Sequence, residues 1–119
     1  MNEISTPLES FLEYLRDCLQ IYHIAEDEEA ETDALTQDIL HCLELEEHDG
    51  AEYLGLAEEL TEARRRRRAA KDRLTMTEPV VSWLEGNQSA VKSLERLLGE
   101  VRKAEKSTEN RVYIPRVRR

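Results

Sequence analysis

Apolar residues recur at spacings of three and four from the start of the chain. Leu8, Phe11, Leu15, Cys18, Tyr22 and Ala25 fall on one stripe, which Leu12 and Leu19 widen. Such spacing is the mark of an amphipathic helix. Ser5 or Thr6 can cap it, and Pro7 suits the first turn, where a missing N–H costs nothing. The register continues through Thr32 and Thr36 to Ile39 and Leu43. Polar residues at 29, 32 and 36 weaken its middle. The stretch Ala25 to Asp33 therefore reads as a solvated helical segment or as a break between two helices. The unbroken register favours one long helix ending near Glu47.

The sequence "HDGAE" then supplies a turn, with Gly50 able to take a left-handed conformation. Tyr53, Leu56, Leu60, Ala63, Arg67, Ala70, Leu74, Thr77, Val81 and Leu84 repeat the same spacing and predict a second helix. Pro79 falls inside it. A proline can kink a helix or start a new one, so "TMTEPVVSWLEG" reads as a possible junction, with Thr77 as its cap. "EGNQS" interrupts the pattern again. Val91, Leu94, Leu97, Leu98, Val101 and Ala104 predict a last helix, capped by Asn87 or Ser89. In the tail, Val112, Tyr113 and Ile114 favour extended backbone, and Pro115 holds Ile114 there. The expected architecture is all-α. It comprises a long antiparallel helical hairpin and a third helix within one helical domain, 1–110, followed by an extended basic tail, 111–119.

Composition supports helices over a sheet. Of 119 residues, 36% are charged, 5% are aromatic, and only 4 are Gly and 3 Pro. A three-helix monomer this polar has a thin core, so a homo-oligomer is expected. The charge is also divided. Residues 1–63 carry 19 acids and one base, Arg16, a net of −18, whereas residues 64–119 carry 7 acids and 16 bases, a net of +9. Halves of opposite sign tend to face each other, within a chain or between chains. No apolar run approaches the roughly 20 residues needed to cross a bilayer. No early segment has the form of a signal peptide. The expectation is a soluble protein of the cytoplasm with no membrane partner. Cys18 and Cys42, about 36 Å apart on one helix, make no disulfide framework.

The arginine run Arg64 to Arg68 carries the sharpest question. In a hairpin turning near Gly50, residue i faces roughly residue 100 − i. The run, with Lys71 and Arg73, then lies near the acids of Glu26 to Glu31, which predicts salt bridges. Five consecutive residues nevertheless cover more than a full turn, so they cannot all face one neighbour. Arg67 falls on the apolar stripe, Arg64 lies beside it, and Arg68 is one turn on. Arg65 and Arg66 point more outward. A guanidinium in a seam needs a partner, because an unpaired buried charge is costly. Guanidiniums left over could hold phosphate or carboxylate.

Other signals are weaker. His41, Cys42 and His48 match no zinc spacing, and the acids from Glu26 to Glu31 lack the alternation and glycine of a calcium loop, so no metal is expected. There is no phosphate loop and no nucleophile motif. The reading is non-enzymatic, with no cofactor. Trp83 is assigned to core packing. Tyr113, flanked by Arg111 and Arg116, is the better candidate to stack on a base.

Residues from "DILHCLELEEHDGAEYLGLAEELTEARRRRRAAKDRLTMTEPVVSWL" to "LLGEVRKAEKSTENRVYIPRV" resemble a family of small proteins of phages and prophages of Gram-positive bacteria. The resemblance covers roughly 37–117. Its first motif falls on Asp38, Leu40, His41, Leu43, Glu44 and Leu45. The second falls on Arg64, Arg67, Arg68, Lys71, Asp72, Glu78 and Pro79, with Val80 where the family pattern has leucine. The third falls on Leu98, Gly99, Arg102, Lys103, Arg111, Tyr113, Pro115, Arg116 and Val117. Arg65 and Arg66 stand outside it. The resemblance implies a viral context acting in the host cytoplasm and supplies no mechanism. Two functions are then expected nearly level. One is sequestration of an anionic nucleotide immune signal by Arg64, Arg67, Arg68, Lys71, Arg102, Lys103, Arg111, Tyr113 and Arg116. The other is inhibition of a host defence protein, by an acidic nucleic-acid mimic or a helical cap. Direct nucleic-acid binding ranks below both, because the net charge is −9 and acids lie near the basic run.

Overall fold

A computed structural model shows an all-α protein and describes residues 2–109. Helix α1 spans Ser5–Leu45, α2 spans Gly50–Gly86 and α3 spans Gln88–Glu109. No strand occurs among the described residues. The tail expected at 111–119 lies outside them. The fold divides into two compact units. One is Asp17–Trp83, and the other comprises residues 2–16 and 84–109.

In the first unit, α1 and α2 form the antiparallel hairpin. Cys18, Ala25, Thr32 and Ile39 are buried on α1, each seven residues from the next. Ala63, Ala70 and Thr77 do the same on α2. This heptad repeat is a coiled-coil seam, in which each buried residue fills a hole on the facing helix. The side chains are mostly small. Thr32 and Ala70 are both 0% exposed, as close packing at a narrow seam requires. The intervening seam positions are half-buried and hold Tyr22, Glu29, Thr36, Leu43, Leu60, Arg67 and Leu74. Two charges and a threonine thus stand in the seam itself.

Helix α1 runs unbroken through Ala25 to Asp33. Within that stretch Thr32 is buried at a seam position and donates its hydroxyl to the carbonyls of Glu28 and Glu29 at 2.8 and 3.1 Å. Helix α2 likewise runs through Pro79. The ring deprives the Thr75 carbonyl of its helical donor. Just upstream, Thr75 and Thr77 donate to the carbonyls of Lys71 and Arg73 at 3.0 and 2.7 Å. Thr77 is therefore a buried seam residue rather than a cap. The hairpin turn also departs from expectation. Among the described residues no glycine has a positive φ, and Gly50 is the first residue of α2. Asp49 makes the turn by capping α2: its carboxylate accepts the Glu52 N–H at 2.8 Å and its carbonyl accepts the Tyr53 N–H at 3.0 Å.

In the second unit, the start of α1 packs on α3 around Ser5, Leu12, Leu15 and Leu98. Leu12 is 2% exposed and Phe11 is 45% exposed, so Leu12 carries the core contact expected of Phe11. Glu105 of α3 accepts the backbone N–H groups of Ile4 and Ser5 at 3.2 and 3.1 Å. It satisfies donors that the first turn of α1 leaves open. The Ser5 hydroxyl, with those N–H groups, holds the Glu105 carboxyl below its ordinary pKa. Asn87 stands alone between α2 and α3, and its carbonyl accepts the Val91 N–H at 3.1 Å, which gives it the capping place.

Candidate anion-binding groove

The five arginines lie on α2, and two of them, Arg66 and Arg67, reach the acidic middle of α1. Arg66 is the most firmly held. Its Nε donates to Glu28 at 2.7 Å and its Nη2 to Glu31 at 3.4 Å. This corrects the outward placement expected for Arg66. Arg66 and Glu28 each stand just before an inner seam residue, Arg67 and Glu29. These flanking positions carry salt bridges between coiled helices. The hydrogen bond pulls Glu28 below its ordinary carboxylate pKa and raises that of Arg66. Arg67, in the seam as expected, donates its Nε to Asp33. The sum of those two numbers, 100, is the one that the hairpin geometry requires.

Pairing stops there. Arg64, Arg65 and Arg68 are exposed. Among the described residues Arg64, Arg68 and Lys71 make no ion pair. Arg64, Arg67, Arg68 and Lys71 instead line one groove of about 520 Å³, completed by Asp72 and Thr75. These four cations stand at steps of three, one and three residues, which places them on one side of a helix. The single acid in the wall cannot neutralise them. The volume is that of an ordinary small-ligand site. A second groove of about 510 Å³ on the same hairpin is acidic, with Glu26, Glu29, Asp33 and Glu78 in its wall beside Tyr22 and Leu74.

Four of the nine expected ligand residues are thus brought together. Arg102 belongs to the second unit, where its Nη2 donates to Glu9 at 2.6 Å. Lys103 is exposed there. Arg111, Tyr113 and Arg116 lie outside the described residues. Trp83 is 42% exposed, short of the core role assigned to it. No protein-family profile, curated protein or solved structure matches this chain. No helix among the described residues is long and apolar enough to cross a membrane.

The α1–α2 turn brings Cys42 and His48, set aside in the sequence as metal ligands for their spacing, together with Glu46, which the sequence did not single out. Cys42 Sγ donates to Glu46 Oε2 at 2.9 Å and lies 3.5 Å from His48 Nε2. His48 Nδ1 meets Glu52 Oε2 at 2.9 Å, and its ring stands edge-on to Tyr53 at 5.3 Å. The Glu52 contact, with the Cys42 carbonyl, raises the His48 pKa, and the Glu46 contact raises that of the Cys42 thiol. His41 is exposed and takes no part.

Proposed function

We propose that this protein is a non-enzymatic binding module for a small phosphate-bearing anion, a nucleotide, held in the groove of Arg64, Arg67, Arg68 and Lys71. The observation that carries the reading is the division of labour within the run. Arg66 and Arg67 meet the acids of α1, whereas Arg64, Arg68 and Lys71 make no ion pair among the described residues and line a ligand-sized groove whose wall holds one acid, Asp72. Guanidiniums match phosphate oxygens through paired N–H donors, which a lone ammonium cannot do. In the viral context implied by the resemblance, the ligand is a nucleotide immune signal of the host cell. The protein sequesters it in the host cytoplasm without changing it.

The test is calorimetric titration of the full chain with cyclic dinucleotides and ADP-ribose-type nucleotides, with the ligand recovered and its mass checked. Saturable binding of an unaltered ligand, lost when Arg64 and Arg68 are both changed to Ser, supports the reading. Both residues lie outside the hairpin's ion pairs, so the loss cannot come from a broken salt bridge. Absence of affinity for every nucleotide, or full affinity in the double variant, overturns it. A second reading follows from the acidic groove. Its four carboxylates favour a basic protein surface, and the partner would then be a host defence protein. Co-purification of a host protein that nucleotides fail to displace would select that reading.

A further inference from the structure

The strongest unassigned chemistry is the cluster in the α1–α2 turn. We infer that Cys42, Glu46 and His48 form a zinc-binding site that clips the end of α1 to the start of α2. The three donor atoms lie within 4.8 Å of one another. Around a tetrahedral zinc, with bonds of ~2.3 Å to sulfur and ~2.0–2.1 Å to nitrogen and oxygen, neighbouring donors stand about 3.3–3.6 Å apart. Here Sγ to Nε2 is 3.5 Å, Nε2 to Glu46 Oε2 is 3.7 Å, and Sγ to that oxygen is 2.9 Å. Only the last separation must open. The Glu46 side chain, 64% exposed, is free to move by that amount. A thiolate with an imidazole selects zinc over the hard cations that prefer oxygen.

The outer contacts fit as well. A metal-bound histidine gives its other ring N–H to a carboxylate, which fixes tautomer and orientation. Glu52 Oε2 stands 2.9 Å from His48 Nδ1 and takes that part. With the proton on Nδ1, the Nε2 lone pair faces Cys42 and Glu46. The Cys42 carbonyl, 3.1 Å from Nε2, keeps a donor in the Glu46 N–H at 3.2 Å. Binding expels the Cys42 thiol proton to solvent, and water completes the fourth position. The His48 side chain is only 9% exposed, so the ring is already held in place before the metal arrives. This site is independent of the arginine groove.

Cobalt(II) titration of the metal-free full chain tests the inference. One equivalent should give a thiolate-to-cobalt charge-transfer band with the strong visible absorption of tetrahedral cobalt, and zinc should bleach both. Cys42→Ser should abolish the band, while Cys18→Ser and His41→Gln leave it intact. Glu52→Gln should keep the spectrum but weaken the metal by about 10–100-fold, the usual effect of losing such an outer partner. Zinc should also raise the melting temperature of the wild-type chain, because it binds the folded turn. That reading needs no variant to fold. Absence of the band in the wild-type chain, its survival in Cys42→Ser, or no rise in melting temperature with excess zinc overturns the site.

Discussion

Arg66 and Arg67 are neighbours in sequence but differ in what their loss would do. Arg66 reaches Glu28 and Glu31 from beside the seam, and Arg67 meets Asp33 from within it. A leucine at 67 would suit the seam better, and the Asp33 left behind is 51% exposed, so water can solvate it. Arg67→Leu should therefore raise stability by about 1 kcal/mol, the worth of a half-buried leucine, while weakening nucleotide binding. Denaturant melts and calorimetry on one sample check both. A variant that binds as well as wild type would remove Arg67 from the site. Thr36 offers a simpler case. Its hydroxyl oxygen is buried without a hydrogen-bond partner, and such a group costs ~1–3 kcal/mol. Thr36→Val keeps the shape and should stabilise the fold by about 1–2 kcal/mol in urea melts. Periodicity placed Arg67 on the seam and required a partner there. It missed Arg66, because angular position ignores the reach of a long side chain around the helix.

The helices were legible where the seam repeats, and less so where a single side chain decides a local outcome. Spacing alone joined Leu8 to Leu43 and Leu56 to Leu84, since burial at seven-residue steps runs from Cys18 to Ile39 on α1 and from Ala63 to Thr77 on α2. The turn was placed correctly but given to the wrong residue. Asp49, an N-cap with Glu52 three residues on, does what was expected of Gly50. Replacing Asp49 by Ala should cost about 0.5–2 kcal/mol, whereas Gly50→Ala should be neutral or mildly stabilising, because no atom stands within 4 Å of a Cβ at that position. The contrast, read in paired thermal melts, fails if Gly50→Ala is the more damaging change. Pro79 is a converse case. It stands inside α2, where proline costs ~3 kcal/mol relative to alanine. Pro79→Ala should accordingly raise stability by up to about 3 kcal/mol. A destabilised variant would mean that the ring packs against something worth more than the missing hydrogen bond.

At the scale of the molecule, charge divided along the sequence becomes charge paired across helices, and pH probes that pairing. Glu28 is held below the ordinary value of 4.5 by its hydrogen bond to Arg66, and Glu105 by its hydrogen bond to the Ser5 hydroxyl. A depressed carboxyl stabilises the fold above the unfolded pKa. As pH falls below 4.5 the unfolded chain takes up these protons first, so stability declines until the folded carboxyls protonate too. Melting temperature should therefore drop with acidification below that point. Glu28→Gln and Glu105→Gln should each flatten the slope. An unchanged slope in both would mean that other acids govern the acid limb. Salt tests the same pairing from another side. The Arg66 and Arg67 pairs are partly exposed and should weaken modestly as ionic strength rises. The proposed nucleotide binding, which would gather charge into an open groove, should weaken further. Whether the chain also pairs with itself follows from what the helices leave uncovered. Ile24 is 58% exposed and Ile21 41%, three residues apart on α1. In a chain with 36% charged residues, a second copy of the chain is the partner proposed to cover them. Light scattering at low micromolar concentration should give a multiple of the 13.9 kDa chain mass, and Ile24→Glu should return it to the monomer. A monomeric mass for the wild-type chain would overturn the second copy and confine the proposed ligand to a single hairpin.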